Sequence, residues 1–495
     1  MSAYQLLQDR FKRIGALSGA QSMLYWDMAT MMPPGGAEAR AEQLAVLQVL
    51  QHEFLVAPEV EEQLALAEAE AELRPWERAN LREMRRLHAE AAAVPGRLVE
   101  ALAKACRRCE MQWRQARQQS DFAAVAPALA EVIALVREAA AARGEAQGLS
   151  PYDALLNQYQ PGLRAARVEA LFAPLRAALP ELIEAALGQQ AAEPTPQRPQ
   201  VPFPLDRQES LARRVMQQLG FPFDQGRLDT SMHPFSGGTP DDLRITTRWD
   251  QADYSSALMG VIHETGHALY EAGLPAAWRL QPVGLARGMA VHESQSLLLE
   301  MQVCRSPAFL SFLAPLLAET FGSDPAWDAG NLFRLATRVE RGHIRVDADE
   351  VTYPAHVLLR YGLEPALLSG DLPVAELPAA WAEAARELLG VEPPDDRHGC
   401  LQDIHWYDGA FGYFPTYTLG AMAAAQLYRA ALAAQPEIAE DIARGDLSRL
   451  LGWLRAEVHG QGSLLEWEAL IEQASGRPLD SAIYLQHLRA RYLES

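Results

Sequence analysis

The residues with the clearest chemical use in this sequence form the pentapeptide His263-Glu264-Thr265-Gly266-His267. Two histidines four positions apart on a helix project from one face, one turn apart, so both imidazoles can bind a single Zn²⁺. The glutamate between them points toward the same place without binding the metal. There it can take a proton from a water bound to the zinc. The pattern predicts hydrolysis with Glu264 as general base.

A catalytic zinc takes three protein ligands and keeps one position for water, so a third ligand must lie nearby. The segment 288–296 follows the pentapeptide along the chain and offers two candidates, His292 and Glu293. We favour Glu293, because a carboxylate keeps the site close to neutral. His292 is then expected to hydrogen-bond a ligand from behind.

Hydrolysis of a peptide also needs groups that hold the substrate and stabilise the oxyanion. Arg244 and Arg345 are candidates for binding a substrate carboxylate, since a guanidinium is always charged and binds carboxylates with two hydrogen bonds. Tyr413 and Tyr417 could donate hydroxyl groups to the tetrahedral intermediate. The alternatives are arginines in structural salt bridges and aromatic rings packed in the core.

Helices must position most of these residues. Helical spacing of apolar residues predicts helices over 36–54, 58–72, 75–118, 122–148, 166–188 and 206–219. The final third is expected to be helical apart from a turn at 406–420. One strand is predicted at 243–249, directly before the zinc-binding helix. Its edge can pair with an extended peptide and hold the bond to be cut over the metal.

We expect a single unit spanning 1–495. A subdivision is possible into a helical part, 1–192, and a catalytic part, 205–495. The segment between them, 193–204, is rich in proline and is predicted to be an extended connector.

Composition narrows the function classes. The net charge is −20 over 495 residues, which argues against nucleic-acid binding. The sequence has no apolar run long enough to span a membrane and no secretory signal at its N-terminus, so we expect a cytoplasmic enzyme. Four cysteines do not make a disulfide scaffold, and Cys106 and Cys109 are interpreted as unlinked neighbours on a helix.

Six further motifs, together with the pentapeptide, resemble the carboxypeptidase Taq family of HEXXH metallocarboxypeptidases over nearly the whole chain. They are WDMATMMP at 26–33, HPF at 233–235, DLRIT at 242–246, HESQ at 292–295, IRVDAD at 344–349 and GCLQDIHW at 399–406.

This resemblance implies a mainly α-helical, gluzincin-like peptidase with a deep substrate groove and a small β-sheet beside the zinc helix. It also implies one catalytic metal, zinc or alternatively cobalt, a homodimer, and removal of single C-terminal residues from peptides with broad preference. The metal ligands become His263, His267 and Glu293, with Glu264 as base and Arg345 as partner of the substrate carboxylate. Residues expected near the substrate or intermediate are His233, Arg244, His405 and Tyr417.

Two other functions fit parts of the pattern. A zinc oligopeptide endopeptidase would share the zinc helix, the glutamate ligand and the groove. A helical peptide-binding protein with a structural zinc is less well matched, because a structural site needs four ligands and no base.

Overall fold

The computed structural model describes residues 1–70 and 72–494. Nine α-helices precede a small sheet in this part of the chain: α1 (Ala3–Thr30), α2 (Ala37–Val56), α3 (Pro58–Glu68), α4 (Pro75–Ala93), α5 (Gly96–Gln119), α6 (Phe122–Gln147), α7 (Pro151–Tyr159), α8 (Ala165–Ala192) and α9 (Leu205–Gln218). Eleven follow it: α10 (Tyr254–Gly273), α11 (Met289–Leu297), α12 (Pro307–Phe321), α13 (Ala329–Ala336), α14 (Tyr353–Ser369), α15 (Leu377–Leu389), α16 (Pro415–Ala434), α17 (Ile438–Ala443), α18 (Ser448–Glu457), α19 (Trp467–Ser475) and α20 (Ser481–Tyr492). The predicted mainly helical fold is confirmed.

The sheet consists of β1 (Gly226–Thr230), β2 (Phe235–Thr239) and β3 (Asp242–Thr247) in the order β1-β3-β2. The central strand β3 is parallel to β1 and antiparallel to β2. The predicted strand at 243–249 corresponds to β3. The prediction that this strand has a free edge for pairing with a peptide is wrong, because β3 has a neighbouring strand on each side. The strands β1 and β2 went unpredicted, since Gly226 and Asp229 in β1 and Gly237 and Gly238 in β2 are poor strand formers.

Most predicted helices are confirmed, with three corrections. The single helix predicted over 75–118 is wrong, because α4 ends at Ala93 and α5 begins at Gly96. Pro95 causes the break by forcing Val94 into an extended conformation (φ −101°, ψ 119°). The turn predicted at 406–420 belongs to a longer segment without α-helix, because α15 ends at Leu389 and α16 begins at Pro415, where proline fits the first helical position. The helix predicted over 58–72 ends at Glu68, and residue 71 lies outside the described part.

Buried side chains form one main core that extends from Ala105 to Tyr492. A smaller core packs α1 against α3 and α4 through Leu7, Phe11, Leu64 and Met84. Within 193–204 the structure has neither helix nor strand, and Phe203 in this segment belongs to the main core. Division of the chain at this segment stays a prediction.

Two further features concern cysteines and hydropathy. Cys106 and Cys109 are buried and unlinked on α5, as interpreted from the sequence.

In the described part of the chain, no single helix has the length and apolar character needed to cross a membrane. One pair of helical segments, Pro282–Val303 and Pro307–Phe321, passes that test only when taken together, and it is bent by 75°.

Candidate active site

The helix α10 presents the pentapeptide to a groove. It begins at a cap in which the Asp253 carboxylate accepts hydrogen bonds from the backbone N–H groups of Ser255 and Ser256. Val261 and Ile262 are fully buried, which fixes the rotation of the helix. The helix ends at Gly273, where an added Cβ would lie 2.5 Å from His459 Nδ1.

The helix α11 lies between α10 and α16, and a glycine on each neighbour permits the close approach. An added Cβ at Gly266 would lie 2.5 Å from the Cα of Ser296 on α11. An added Cβ at Gly420 of α16 would lie 2.7 Å from both Cβ and Cγ of Glu293. These two contacts hold Glu293 against the histidines of α10.

His263, His267 and Glu293 form a group that fits a divalent metal. Each offers one ligand atom, and the three atoms lie within 4.8 Å of one another. His267 Nε2 is 3.7 Å from Glu293 Oε2. Two imidazoles and one carboxylate suit zinc or cobalt, and three ligands leave room for water.

Hydrogen bonds behind both histidines support this fit. His263 Nδ1 lies 2.9 Å from Glu300 Oε2, and His267 Nδ1 lies 2.6 Å from His292 Nδ1. Each Nδ1 is therefore engaged away from Glu293, which leaves each Nε2 available to a metal. His292 has the position expected for it, behind a candidate ligand.

Burial and neighbouring charges perturb these groups strongly. Burial disfavours protonation of His263, but its hydrogen bond to Glu300 and the surrounding carboxylates raise its pKa to about 10. Burial and the adjacent histidines hold the pKa of His267 well below its usual value. Burial raises the pKa of Glu264 and of Glu293, and Ser236 hydrogen-bonds the Glu264 carboxylate. Raised carboxyl pKa values suit proton transfer near neutral pH.

Arg345 belongs to a buried charge cluster at the groove. Its Nη2 lies 2.8 Å from Asp403 Oδ1, and Arg360 Nη2 lies 2.6 Å from Asp403 Oδ2. Burial opposes ionisation of Asp403, but the two guanidinium groups hold its pKa far below the usual range. Burial lowers the pKa of Arg360 to about 10. Two guanidinium groups share one carboxylate, so the cluster keeps one positive charge.

Aromatic side chains surround this cluster. Arg345 Nη1 donates to the Tyr353 hydroxyl at 2.9 Å, and its guanidinium lies 4.8 Å from the centre of the Tyr417 ring. His405 Nε2 is 3.2 Å from the Tyr417 hydroxyl. Burial lowers the pKa of His405 to about 4, so the ring is neutral at pH 7, and burial raises the pKa of Tyr417 to about 12. Tyr413 packs edge-on against Tyr417 with ring centres 5.2 Å apart.

The groove has a cavity of about 740 Å³ that several of the predicted residues share. Those that line it are His233, His263, Glu264, Glu293, Arg345 and Tyr417. His267 and His405 contact this group from behind. Arg244 lies elsewhere, since it binds Asp242 with two hydrogen bonds and stacks over Trp26 at 4.7 Å.

Sequence reasoning missed several residues of the site. Glu300 and Arg305 follow α11 with no recognisable spacing, and Tyr353 lies at the start of α14. Asp403 stood inside the GCLQDIHW motif, but its pairing with Arg345 and Arg360 depends on distant segments. The signal available in the sequence was an aspartate beside an apolar residue, in a motif that also contains His405.

The chain matches one family model along almost its whole length and is similar to several known proteins. The model of the carboxypeptidase Taq (M32) metallopeptidase family matches residues 6–492. Thermostable carboxypeptidase 1 of Thermus thermophilus is 38% identical over 99% of this chain and 98% of its own length. Two solved structures cover 99% of this chain and 99% of their own: Trypanosoma cruzi metallocarboxypeptidase 1, with TM-score 0.97 and 40% identity, and the M32 carboxypeptidase of Deinococcus radiodurans R1, with TM-score 0.94 and 36% identity.

Proposed function

The chain belongs to the carboxypeptidase Taq (M32) metallopeptidase family, and on that premise we propose that it releases single residues from the C-terminus of peptides with broad preference. Membership makes it a peptide hydrolase of the metallocarboxypeptidase type that depends on a divalent metal. The breadth of substrate preference, the identity of the metal and the roles of individual residues belong to the proposal.

The observation that carries the proposal is the position of Arg345. It lines the same cavity as His263, Glu264 and Glu293, within a cluster that has one positive charge in excess. A free C-terminal carboxylate would neutralise that charge when it binds. Placing the carboxylate at Arg345 directs the last peptide bond, rather than an internal one, toward the histidines.

We propose zinc as the metal, with cobalt as an alternative, held by His263, His267 and Glu293. When bound there, a divalent cation supplies a more acidic water and a positive charge beside the carbonyl oxygen of the bond to be cut. Both metals accept this set of nitrogen and oxygen donors.

The side chains divide the remaining work. Glu264 takes a proton from the attacking water and delivers it to the leaving amine, a transfer helped by its raised pKa. Tyr417 donates its hydroxyl hydrogen to the oxyanion, because its high pKa keeps the hydroxyl protonated. His405 orients that hydroxyl from behind. His233, which lines the cavity, contacts the substrate further along the groove.

The edge strand β2 offers a surface for the substrate backbone. Ser22 Oγ donates to the carbonyl of Gly238 at 2.8 Å from outside the sheet. In the sheet order β1-β3-β2, β2 is an end strand and has β3 on one side only. Ser236 hydrogen-bonds Glu264, which places this backbone beside the proposed base. We propose that β2 takes the role expected of 243–249, and that Arg244 supports the sheet.

Replacing Glu264 with Gln tests the mechanism. We expect zinc content to persist, because Glu264 is not a proposed ligand, and kcat on a blocked dipeptide to fall by about 10²–10⁴-fold. Glu319→Gln, at an exposed ion pair with Arg214, is the matched control and should retain full activity. Activity within tenfold of the wild type in Glu264→Gln contradicts the assignment of the base. No hydrolysis in the zinc-loaded wild type would favour the peptide-binding alternative.

The resemblance supports a homodimer that acts on peptides, and the cytoplasmic location stays a prediction from the sequence. Light scattering on the purified full chain measures the mass directly. A mass near twice 54.5 kDa is expected, and a mass of 54.5 kDa contradicts the dimer.

A further inference from the structure

Each histidine of the proposed metal site is backed by its own chain of hydrogen bonds that includes a carboxylate. One chain runs from His263 to Glu300 and Arg305. The other runs from His267 through His292 to Glu271. None of the four residues behind the histidines is among the proposed ligands, the base or the substrate contacts.

The series of hydrogen bonds from His263 through Glu300 to Arg305 is short, and the two side chains behind His263 are largely buried. A π-helical turn, Leu298–Val303, follows α11 and directs Glu300 toward α10. Glu300 Oε2 lies 2.9 Å from His263 Nδ1, and Glu300 Oε1 lies 3.0 Å from Arg305 Nη2. Arg305 is held in turn by the carbonyl of Ala336. The Glu300 and Arg305 side chains are only 12% and 16% exposed.

A carboxylate held in this way only accepts hydrogen bonds, so His263 Nδ1 carries the hydrogen. When the ring is neutral, the lone pair of His263 lies on Nε2, the nitrogen available to a metal. The carboxylate also increases the electron density on that nitrogen, which strengthens it as a ligand.

The second chain leads to the same tautomer by two steps. His292 Nε2 lies 2.9 Å from Glu271 Oε1, so Nε2 is the donor, and Nδ1 of a neutral His292 is an acceptor. His267 Nδ1, 2.6 Å from that acceptor, must therefore carry a hydrogen. The His267 lone pair lies on Nε2, which faces Glu293. Glu271 is 32% exposed, so this chain ends closer to solvent than the first.

We propose that Glu300, Arg305, His292 and Glu271 are positioning residues that set the metal affinity of the site by fixing the tautomers of His263 and His267. The Glu300–Arg305 pair dominates, because its carboxylate contacts a ligand directly, is largely buried and is paired with a charge. The proposal rests on the proposed function, since it takes His263, His267 and Glu293 as the ligands.

Replacing Glu300 with Gln keeps the size of the side chain but changes its hydrogen bonding, so it tests the hydrogen bond to His263 rather than the packing. The Gln carbonyl can still accept from Arg305, which turns its NH₂ group toward His263. That donor requires a lone pair on His263 Nδ1 and moves the ring hydrogen to Nε2, where it blocks the metal. Nitrogen NMR of histidine-labelled, zinc-free protein reports the tautomer directly. We expect a hydrogen on Nδ1 of His263 in the wild type and none on that nitrogen in Glu300→Gln.

Zinc affinity of the full chain, measured by competition with a chromophoric chelator, is the second readout. Loss of such an outer hydrogen bond weakens metal binding by about 10–100-fold, the range we expect for Glu300→Gln. Glu271→Gln should weaken it by less than about tenfold, because its effect passes through His292 and its carboxylate is partly solvated. Glu319→Gln, at the exposed pair with Arg214, should match the wild type.

Zinc affinity within about twofold of the wild type in Glu300→Gln, with hydrogen still on His263 Nδ1, would overturn the proposal. A larger loss in Glu271→Gln than in Glu300→Gln would overturn the claim that the Glu300 pair dominates. A wild type that binds zinc but releases no C-terminal residue contradicts the proposed function alone. In that case the affinities and tautomers still decide the positioning claim.

Discussion

Two guanidinium groups share one carboxylate beside the groove, and this imbalance of charge is the residue-level basis of the proposed direction of attack. Arg360 is fully buried and lies 4.5 Å from the centre of the Trp381 ring, so its contacts are internal. Arg345 lines the cavity, so of these two arginines it is the one that a substrate can reach. Asp403 orients both and leaves part of the charge of Arg345 for a ligand.

Replacing Arg345 with Lys keeps the charge but removes the planar pair of donors. Hydrogen bonds to charged groups are worth about 1.5–3 kcal/mol, so kcat/KM on a peptide with a free C-terminus should fall about 10–100-fold. Steady-state kinetics on that peptide and on its C-terminal amide measure the effect, and the preference for the free acid should shrink. Arg248→Lys, another arginine lining the cavity, is the control. An unchanged preference for the free acid in Arg345→Lys contradicts the role of Arg345.

At the residue scale, the sequence predicts the proposed zinc ligands and base better than it predicts the residues that surround them. His263, Glu264 and His267 are predictable because helical spacing alone sets their relative positions. Glu293 needed one further step, the search for a third ligand on a following helix. Glu300, Arg305 and Tyr353 were not predictable, because their contacts depend on the packing of segments far apart in the chain. Arg244 was predicted to lie near the substrate because it belongs to a motif, but its contacts are with Asp242 and Trp26.

At the scale of elements, the site depends on how closely three helices approach. The helix α11 is enclosed between Gly266 of α10 and Gly420 of α16, and both glycines lie where a Cβ would meet atoms closer than 3.0 Å. At Gly266 the obstacle is backbone, and at Gly420 it is the side chain of Glu293. The second contact links helix packing directly to a proposed ligand.

Gly420→Ala is therefore expected to displace Glu293. Overpacking in a close-packed interior costs about 1–3 kcal/mol, and part of that strain should shift the Glu293 side chain. We expect a lower thermal midpoint and zinc binding weakened by about tenfold or more. Gly362→Ala on α14, where an added Cβ meets nothing within 4 Å, is the control and should bind zinc as the wild type does. If the two variants show the same affinity, the packing of α16 does not set the position of Glu293.

Prediction of elements succeeded where local periodicity is strong. Helices such as α6 and α9 are found within one residue of the predicted bounds, because apolar spacing and flanking breakers mark them. The break at Pro95 was hidden by continuous helical spacing on both sides. The strands β1 and β2 form because β3 offers partners on both edges, which is a tertiary effect that local propensity does not report.

At the scale of the whole molecule, buried histidines make stability depend on pH. Burial lowers the pKa of His356 to about 3, of His459 to about 3 and of His405 to about 4. The unfolded chain protonates these groups near pH 6.5 while the folded protein keeps them neutral. Each therefore contributes stability that is present above pH 6.5 and is lost as pH falls below it. Glu364, fully buried with a pKa of about 7, opposes one of the three between pH 4.5 and 7.

His267, whose pKa is also held well below its usual value, adds to this uptake, and the raised pKa values of Glu264 and Glu293 oppose it. For the other four groups, three protons taken up and one released on unfolding give a net uptake of two. At 1.36 kcal/mol per proton and pH unit, the free energy of unfolding should fall by about 3 kcal/mol per unit between pH 6 and pH 5. Urea unfolding at several pH values measures the slope. His459→Gln cannot titrate and should reduce the slope by about 1.4 kcal/mol per unit. A free energy of unfolding that stays constant or rises as pH falls contradicts this account.

The central claim is that the groove removes residues from a C-terminus, and product analysis tests it most directly. A defined peptide with a free C-terminus and the same peptide with a C-terminal amide are incubated with zinc-loaded protein and followed by mass spectrometry over time. We predict a ladder of products, each shorter by one C-terminal residue, from the free acid, and slow or no cleavage of the amide. Internal fragments formed equally well from both peptides would contradict the account and identify an oligopeptide endopeptidase instead.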